Sequence, residues 1–164
     1  LTKAAGRVQL FLSDVDGTLT DAGMYYDQGG NELKKFNTHD GKGFELLRNC
    51  GIKTGILTSE NTAIVERRAK KLKVDFLVQD VSNKGKLAAA AELCEKLGID
   101  LSSVAYIGDD VNCAELLEAV GSAACPADAL QAVKAIPGIR VLSKAGGHGA
   151  VREFIDLLLD GTDA

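Results

Sequence analysis

Two aspartates one residue apart, Asp14 and Asp16, stand at the end of an apolar run that begins at Val8, and Gly17-Thr18 follows them at once. The run is rich in strand formers and reads as a buried strand, so both carboxylates fall at its carboxyl end. In an open α/β sheet that edge holds the ligand crevice, which places the two acids for chemistry. The plain alternative is a solvated Asp-x-Asp-Gly turn, since Asp and Gly favour turns on their own account. Other reactive residue types occupy comparable points. Thr58 ends a second apolar run, Ile52 to Leu57; Lys84 and Lys86 precede an alanine-rich helical stretch; Gly108-Asp109-Asp110 follows Val104 to Ile107. Taken singly, such a Thr is usually a helix N-cap and such a Lys a solvated side chain.

The elements that must position them follow from periodicity and turn residues. Met24-Tyr25-Tyr26 and Glu32 to Phe36 flank the Gly-rich turn Asp27 to Asn31 and predict a β-hairpin projecting from the same edge, too small to be a cap domain. Asp40 opens a helix that Asn49-Cys50-Gly51 ends. Further helices are expected through Ile64 to Leu72, Leu87 to Leu97, Ala114 to Val120, Ala129 to Ala135 and Ala150 to Leu159. Strands are expected at 52–57, 74–78, 104–107, 122–125 and 139–142. Strands alternating with helices predict a Rossmann-like α/β fold, a parallel sheet with helices on both faces.

The 164 residues, 46% hydrophobic and 26% charged, predict one domain spanning 1–164. A formal charge of −4 argues against a nucleic-acid surface. No apolar run approaches the ~20 residues of a membrane span and no signal-peptide layout opens the chain, so a cytoplasmic location is expected. The chain begins at Leu1 without an initiator Met, which leaves room for a longer fusion. Cys50, Cys94, Cys113 and Cys125 form no close pair and are expected as buried reduced thiols.

Asp14-Val15-Asp16-Gly17-Thr18 resembles the first motif of the haloacid dehalogenase phosphohydrolase superfamily, and the remaining motifs follow in order, each after an apolar strand. The resemblance implies that Asp14 attacks phosphorus and forms an aspartyl-phosphate, while Asp16 protonates the leaving alkoxide and later takes a proton from water. It implies that Thr58 hydrogen-bonds the phosphoryl group and that a lysine pairs with the nucleophile. Reading forward from the preceding strand picks Lys84; counting back from Gly108-Asp109-Asp110 picks Lys86, which is preferred because a helix is the more rigid ruler. Asp14, the backbone carbonyl of Asp16, and Asp109 would hold Mg²⁺, a hard cation that offsets the clustered carboxylates. One departure stands out. Many members carry Asp where this chain has Cys113, a poor Mg²⁺ donor, so that acid's role is lost or passes to Asp110.

Further stretches, Asp16 to Asp21, Lys35 to Gly41, Val104 to Asp110 and Gly146 to Glu153, are similar to the cap-less phosphatases of 2-keto-3-deoxy sugar-acid phosphates. These are homotetramers in which a neighbouring subunit covers the open site. Enzymes for 3-deoxy-manno-octulosonate (KDO) 8-phosphate usually have Thr-Gly-Arg and Gly-Gly-Arg-Gly where this chain has Thr58-Ser59-Glu60 and Gly146-Gly147-His148-Gly149. Losing both arginines removes two bidentate anion partners. Glu60 with Arg68 and Lys71, three apart on one helix face, looks more like the nonulosonate (KDN or N-acylneuraminate) 9-phosphate type. Thr38, Ser59, Glu60, Arg68 and Lys71 are thus the expected substrate contacts, with a nonulosonate ahead of the octulosonate. His148 reads more simply as the end of a glycine loop. Two other classes compete: a non-catalytic oligomerising domain resembling that of CMP-sialic acid synthetases, and a phosphotransferase or mutase, which would usually carry a cap.

Overall fold

The computed structural model describes residues 8–81 and 85–161. Six strands, β1 (Leu10–Ser13), β4 (Lys53–Leu57), β5 (Phe76–Val78), β6 (Val104–Ile107), β7 (Ser122–Cys125) and β8 (Arg140–Val141), form one parallel sheet in the order β5-β4-β1-β6-β7-β8. The chain runs outward from β1 to β4 and β5, then returns to add β6 on the other side of β1. The crevice beyond the carboxyl ends of β1 and β6 is therefore the switch point of the sheet, where ligands of this architecture bind. Asp14 follows β1 there and Asp109 follows β6.

Period-two alternation divides the core between the two faces. Phe11, Ile56, Ala105 and Ile107 pack on one face with α1 (Thr38–Asn49), α2 (Ala63–Leu72) and α6 (Ala150–Leu159). Leu10, Leu12, Leu57, Val104 and Tyr106 pack on the other with α3 (Gly85–Leu97), α4 (Ala114–Ala119) and α5 (Gln131–Lys134). Helices thus cover both faces, as the alternating pattern predicts.

Where boundaries differ, a local cause is visible. Helix α1 starts two residues before Asp40 because the Asn37 side chain accepts from the His39 N–H and caps it earlier. Strand β5 starts at Phe76 rather than Val74, because Lys73 closes α2 in the left-handed region at φ 56° and Val74 N–H still bonds Ala69. Helix α5 shortens to four residues ahead of Pro137, which disfavours helical backbone in the residue before it. The cysteines are all free, but Cys50 is exposed rather than buried.

Two loops shape the crevice. The predicted flap is present as β2 (Tyr25–Tyr26) paired antiparallel with β3 (Glu32–Leu33), its turn held by the Asp27 carboxylate accepting from the Gly29 and Asn31 N–H groups. The glycine loop before α6 lies directly beneath the aspartate loop. Gly147 N–H donates to Thr18 O at 3.1 Å, and a Cβ on Gly146 would stand 2.0 Å from Gly17 O. Only glycine permits that approach. His148 Nδ1 lies 2.9 Å from Gly146 O, closing its own loop as expected.

Candidate active site

Each acid is delivered by the end of a strand. Asp14 N–H continues the ladder to Ile107 O at 3.0 Å, which fixes its backbone between β1 and β6. Its carboxylate is buried: Oδ1 accepts from Val15 N–H at 2.8 Å and lies 2.7 Å from Lys86 Nζ, while Oδ2 lies 3.1 Å from Cys113 Sγ. Lys86 sits in the first turn of α3 and its side chain is 2% exposed. Burial pulls its pKa down, but Asp14 and the thiol beside it outweigh that and hold the ammonium above the ordinary lysine value. Of the two lysines expected near the nucleophile, Lys86 makes the contact; Lys84 lies outside the described residues.

Asp109 stands across from Asp14. A Cβ on Gly17, at φ +79°, would come 1.9 Å from Asp109 Oδ2, so the aspartate loop passes directly against this side chain. Asp109 Oδ1 is buried and has no hydrogen-bond partner. Burial, then the charges of Asp14 and Asp110, push its carboxyl up to about 7. Oxygens of Asp14 and Asp109 and the Cys113 sulfur lie within 4.8 Å of one another. A divalent cation fits the two carboxylates: it supplies the orphaned oxygen with a partner and offsets the repulsion that raises the Asp109 pKa. The sulfur does not suit a hard ion.

Cys113 occupies the gap that the departure from the family pattern leaves, and Asp110 does not. Its sulfur receives hydrogen bonds from Lys86 Nζ at 3.3 Å and Tyr106 Oη at 3.2 Å. Burial, then the Asp14 charge, push the thiol up to about 12, which keeps it neutral. Asp110 instead is exposed and caps Val111 N–H. Of the two alternatives that the sequence leaves open, loss of the missing acid's role or its transfer to Asp110, this geometry fits the loss.

Asp16 lies on the open side of the crevice, its side chain 40% exposed. Its partner was not foreseen from sequence: Lys34, just past β3 in the flap, brings Nζ to 2.6 Å from Asp16 Oδ1 and 3.1 Å from Glu60 Oε2. Burial lowers the Lys34 pKa, and the bonds and charges of the two carboxylates raise it further in the other direction. Thr58 is buried after β4, its hydroxyl accepting from Glu60 N–H at 3.3 Å. Ser59 Oγ accepts from Asn112 Nδ2 at 3.3 Å, linking the β4 and β6 loops across the crevice.

The expected substrate contacts divide into two groups. Glu60 shares Lys34 with Asp16 and Ser59 lines a cavity with Lys86, whereas Thr38, Arg68 and Lys71 line a separate cavity of about 290 Å³ between α1 and α2 that neither aspartate lines. Arg68 is half-buried, its guanidinium 5.2 Å from the Phe36 ring centroid and donating to Asn37 O at 3.0 Å. Glu60 is not among the residues that line this cavity with Arg68 and Lys71.

Comparison with known proteins gives a concordant result. The family model for haloacid dehalogenase-like hydrolases matches residues 41–121. KdsC of Escherichia coli strain K12, a 3-deoxy-D-manno-octulosonate 8-phosphate phosphatase, is 40% identical over 156 residues, covering 94% of this chain and 81% of KdsC. The enzyme of that name from Moraxella catarrhalis, solved with magnesium ion, phosphate ion and KDO, is 37% identical, with a TM-score of 0.89 over 96% of this chain and 88% of the other. The cobalt-bound phosphatase of Haemophilus influenzae is 31% identical, with a TM-score of 0.88 over 97% and 91%.

Proposed function

The chain belongs to the haloacid dehalogenase-like hydrolases, of the cap-less kind, and on that premise we propose that it is a Mg²⁺-dependent phosphatase of a 2-keto-3-deoxy sugar-acid phosphate, KDO 8-phosphate first. One observation carries the reading: a buried aspartate at the switch point, 2.7 Å from a buried lysine and facing a second carboxylate whose inner oxygen has no partner. A structural ion pair does not need that second acid. The relatives' names move the substrate from the nonulosonate that the sequence favours to the octulosonate.

In the proposed reaction Asp14 attacks phosphorus and Asp16 protonates the departing sugar oxygen; Asp16 then takes a proton from the water that hydrolyses the aspartyl-phosphate. Lys86 holds Asp14 in line and balances phosphoryl charge, and Thr58 offers its hydroxyl to a phosphoryl oxygen. Mg²⁺, held by Asp14, the Asp16 carbonyl and Asp109, supplies charge neutralisation on the phosphoryl oxygens.

A nonulosonate 9-phosphate stays as the second reading because of Glu60. An acid there, tied to Lys34, replaces the arginine usual in octulosonate enzymes, so the mouth offers a hydrogen-bond acceptor where those offer a cation. A homotetramer completes the proposal, with a neighbour covering the crevice. The test is phosphate release with Mg²⁺ from KDO 8-phosphate, KDN 9-phosphate, N-acetylneuraminate 9-phosphate and glucose 6-phosphate. Preference for KDO 8-phosphate supports the first reading, a nonulosonate the second; preference for glucose 6-phosphate refutes both, and no turnover at all favours an oligomerising scaffold. Light scattering at assay concentration tests the tetramer.

A further inference from the structure

Lys34 is a lysine on a surface hairpin whose neighbours Tyr26 and Leu33 are 59% and 55% exposed, yet its own side chain is only 5% exposed. Lysines on such hairpins normally extend into water, so the inward course of this one calls for a reason. What it reaches is specific. Asp16, 18 residues earlier, and Glu60, 26 residues later, both lie within hydrogen-bond distance of Nζ. Among the described residues no other side chain is hydrogen-bonded to the Asp16 carboxylate, whereas Asp14 is held by Val15 N–H, Lys86 and Cys113. The nucleophile is fixed from several sides and the acid from one.

We propose that Lys34 is a positioning residue for Asp16, and that Glu60 steadies Lys34 in turn; the proposal rests on the phosphatase reading and deepens it. Holding Oδ1 of Asp16 presents Oδ2 to the leaving-group oxygen. In the first half-reaction the Oδ2 proton passes to that oxygen as the P–O bond breaks and the Asp14–phosphorus bond forms. In the second, a water proton returns to Oδ2 as the water oxygen bonds phosphorus and the aspartyl bond breaks. Lys34 stays an ammonium throughout and exchanges no proton. Because Lys34 belongs to the flap and Asp16 to the catalytic loop, the aim of the acid depends on the hairpin being folded against the crevice.

The test is Lys34→Met, which keeps length and removes the charge, assayed with Mg²⁺ on KDO 8-phosphate and on p-nitrophenyl phosphate. The alkoxide needs a proton to leave and nitrophenolate does not, and kcat/KM for both reports steps only up to formation of the aspartyl-phosphate. The expected result is a fall in kcat/KM of about 10- to 100-fold on the sugar-acid phosphate and less than about threefold on the aryl phosphate. Lys34→Arg should recover part of the loss, and Glu60→Gln should show the same selective pattern, non-additive with Lys34→Met. Equal losses on both substrates would mean a merely structural tie, and a loss confined to KM of the sugar-acid phosphate would make Lys34 a substrate contact; either overturns the proposal. Wild-type protein that releases phosphate from neither substrate overturns the phosphatase reading along with it.

Discussion

Replacing Asp40 with Asn should remove most of one component of the pH dependence of stability. Asp40 is fully buried in the first turn of α1, and its Oδ1 accepts from Arg152 N–H at 2.9 Å, pinning α1 to the start of α6. Oδ2 is buried without a hydrogen-bond partner. Burial raises the carboxyl from 3.8 to about 6, against smaller downward pulls from Arg152 N–H and the Arg68 charge. Between those values the folded protein keeps a proton that the unfolded chain has lost, so stability falls as pH rises through the window and is level outside it. A shift of 6 − 3.8 at 1.36 kcal/mol per unit gives about 3 kcal/mol at neutral pH. Asn keeps the acceptor for Arg152 and carries no charge, so the difference in unfolding free energy between variant and wild type should change by about 3 kcal/mol in the variant's favour from about pH 3.5 to about pH 7. At neutral pH itself the gain is offset by roughly 1–3 kcal/mol for burying an amide N–H at the Oδ2 position. Urea unfolding followed by circular dichroism suits a chain without Trp, at fixed protein concentration so that any assembly cancels. A difference that stays flat across the window would refute the reasoning.

Three further outcomes can be checked together. Asp14→Asn should lower phosphate release by on the order of 10⁴-fold or more, and retained turnover would remove the nucleophile assignment. Cys113→Asp places a carboxylate beside Lys86 and Asp14, and should tighten Mg²⁺ binding about tenfold by calorimetry while lowering the melting temperature in chelator; unchanged affinity would show that the thiol position does not bear on the ion. Gly17→Ala drives a Cβ to 1.9 Å from Asp109 Oδ2 at a left-handed backbone position. It should weaken Mg²⁺ at least about tenfold and cost about 1–2 kcal/mol of stability, and a calorimetric titration matching wild type would refute the packing argument.

Much of the sheet is legible because its strands read as short apolar runs; Val104–Ile107 and Ser122–Cys125 fall at the expected residues. The strand-end acids are legible for the same reason, since a polar residue that stops such a run must lie at the sheet edge. Lys86 is identified by helix length, although the helix starts at Gly85, two residues before the expected Leu87, and so takes Lys86 into its first turn. Lys34 escaped because a short hairpin carries no long periodicity, and its two partners are distant in sequence. A signal existed nonetheless: alternation along Glu32 to Phe36 puts Lys34 on the same side as Phe36, which is apolar and turned inward, while Leu33 and Lys35 face solvent. The spacing of Arg68 and Lys71 places them on one helix face but does not say what that face meets. Nor does a count of residues after Asp109 tell which of Asp110 and Cys113 turns toward Lys86, because a 3₁₀ turn at Val111–Cys113 decides it.

The glycine loop before α6 acts as a keel under the aspartate loop. Gly146 and Gly147 press against the backbone of Gly17 to Asp21, about 130 positions earlier in the chain, and α6 clamps that loop in place from behind. A ribosome therefore finishes the reactive strand long before it finishes the piece that gives the loop its curvature. Protein trimmed back to before the glycine loop should hold its acids without holding their arrangement, so hydrolytic competence arrives only when α6 docks.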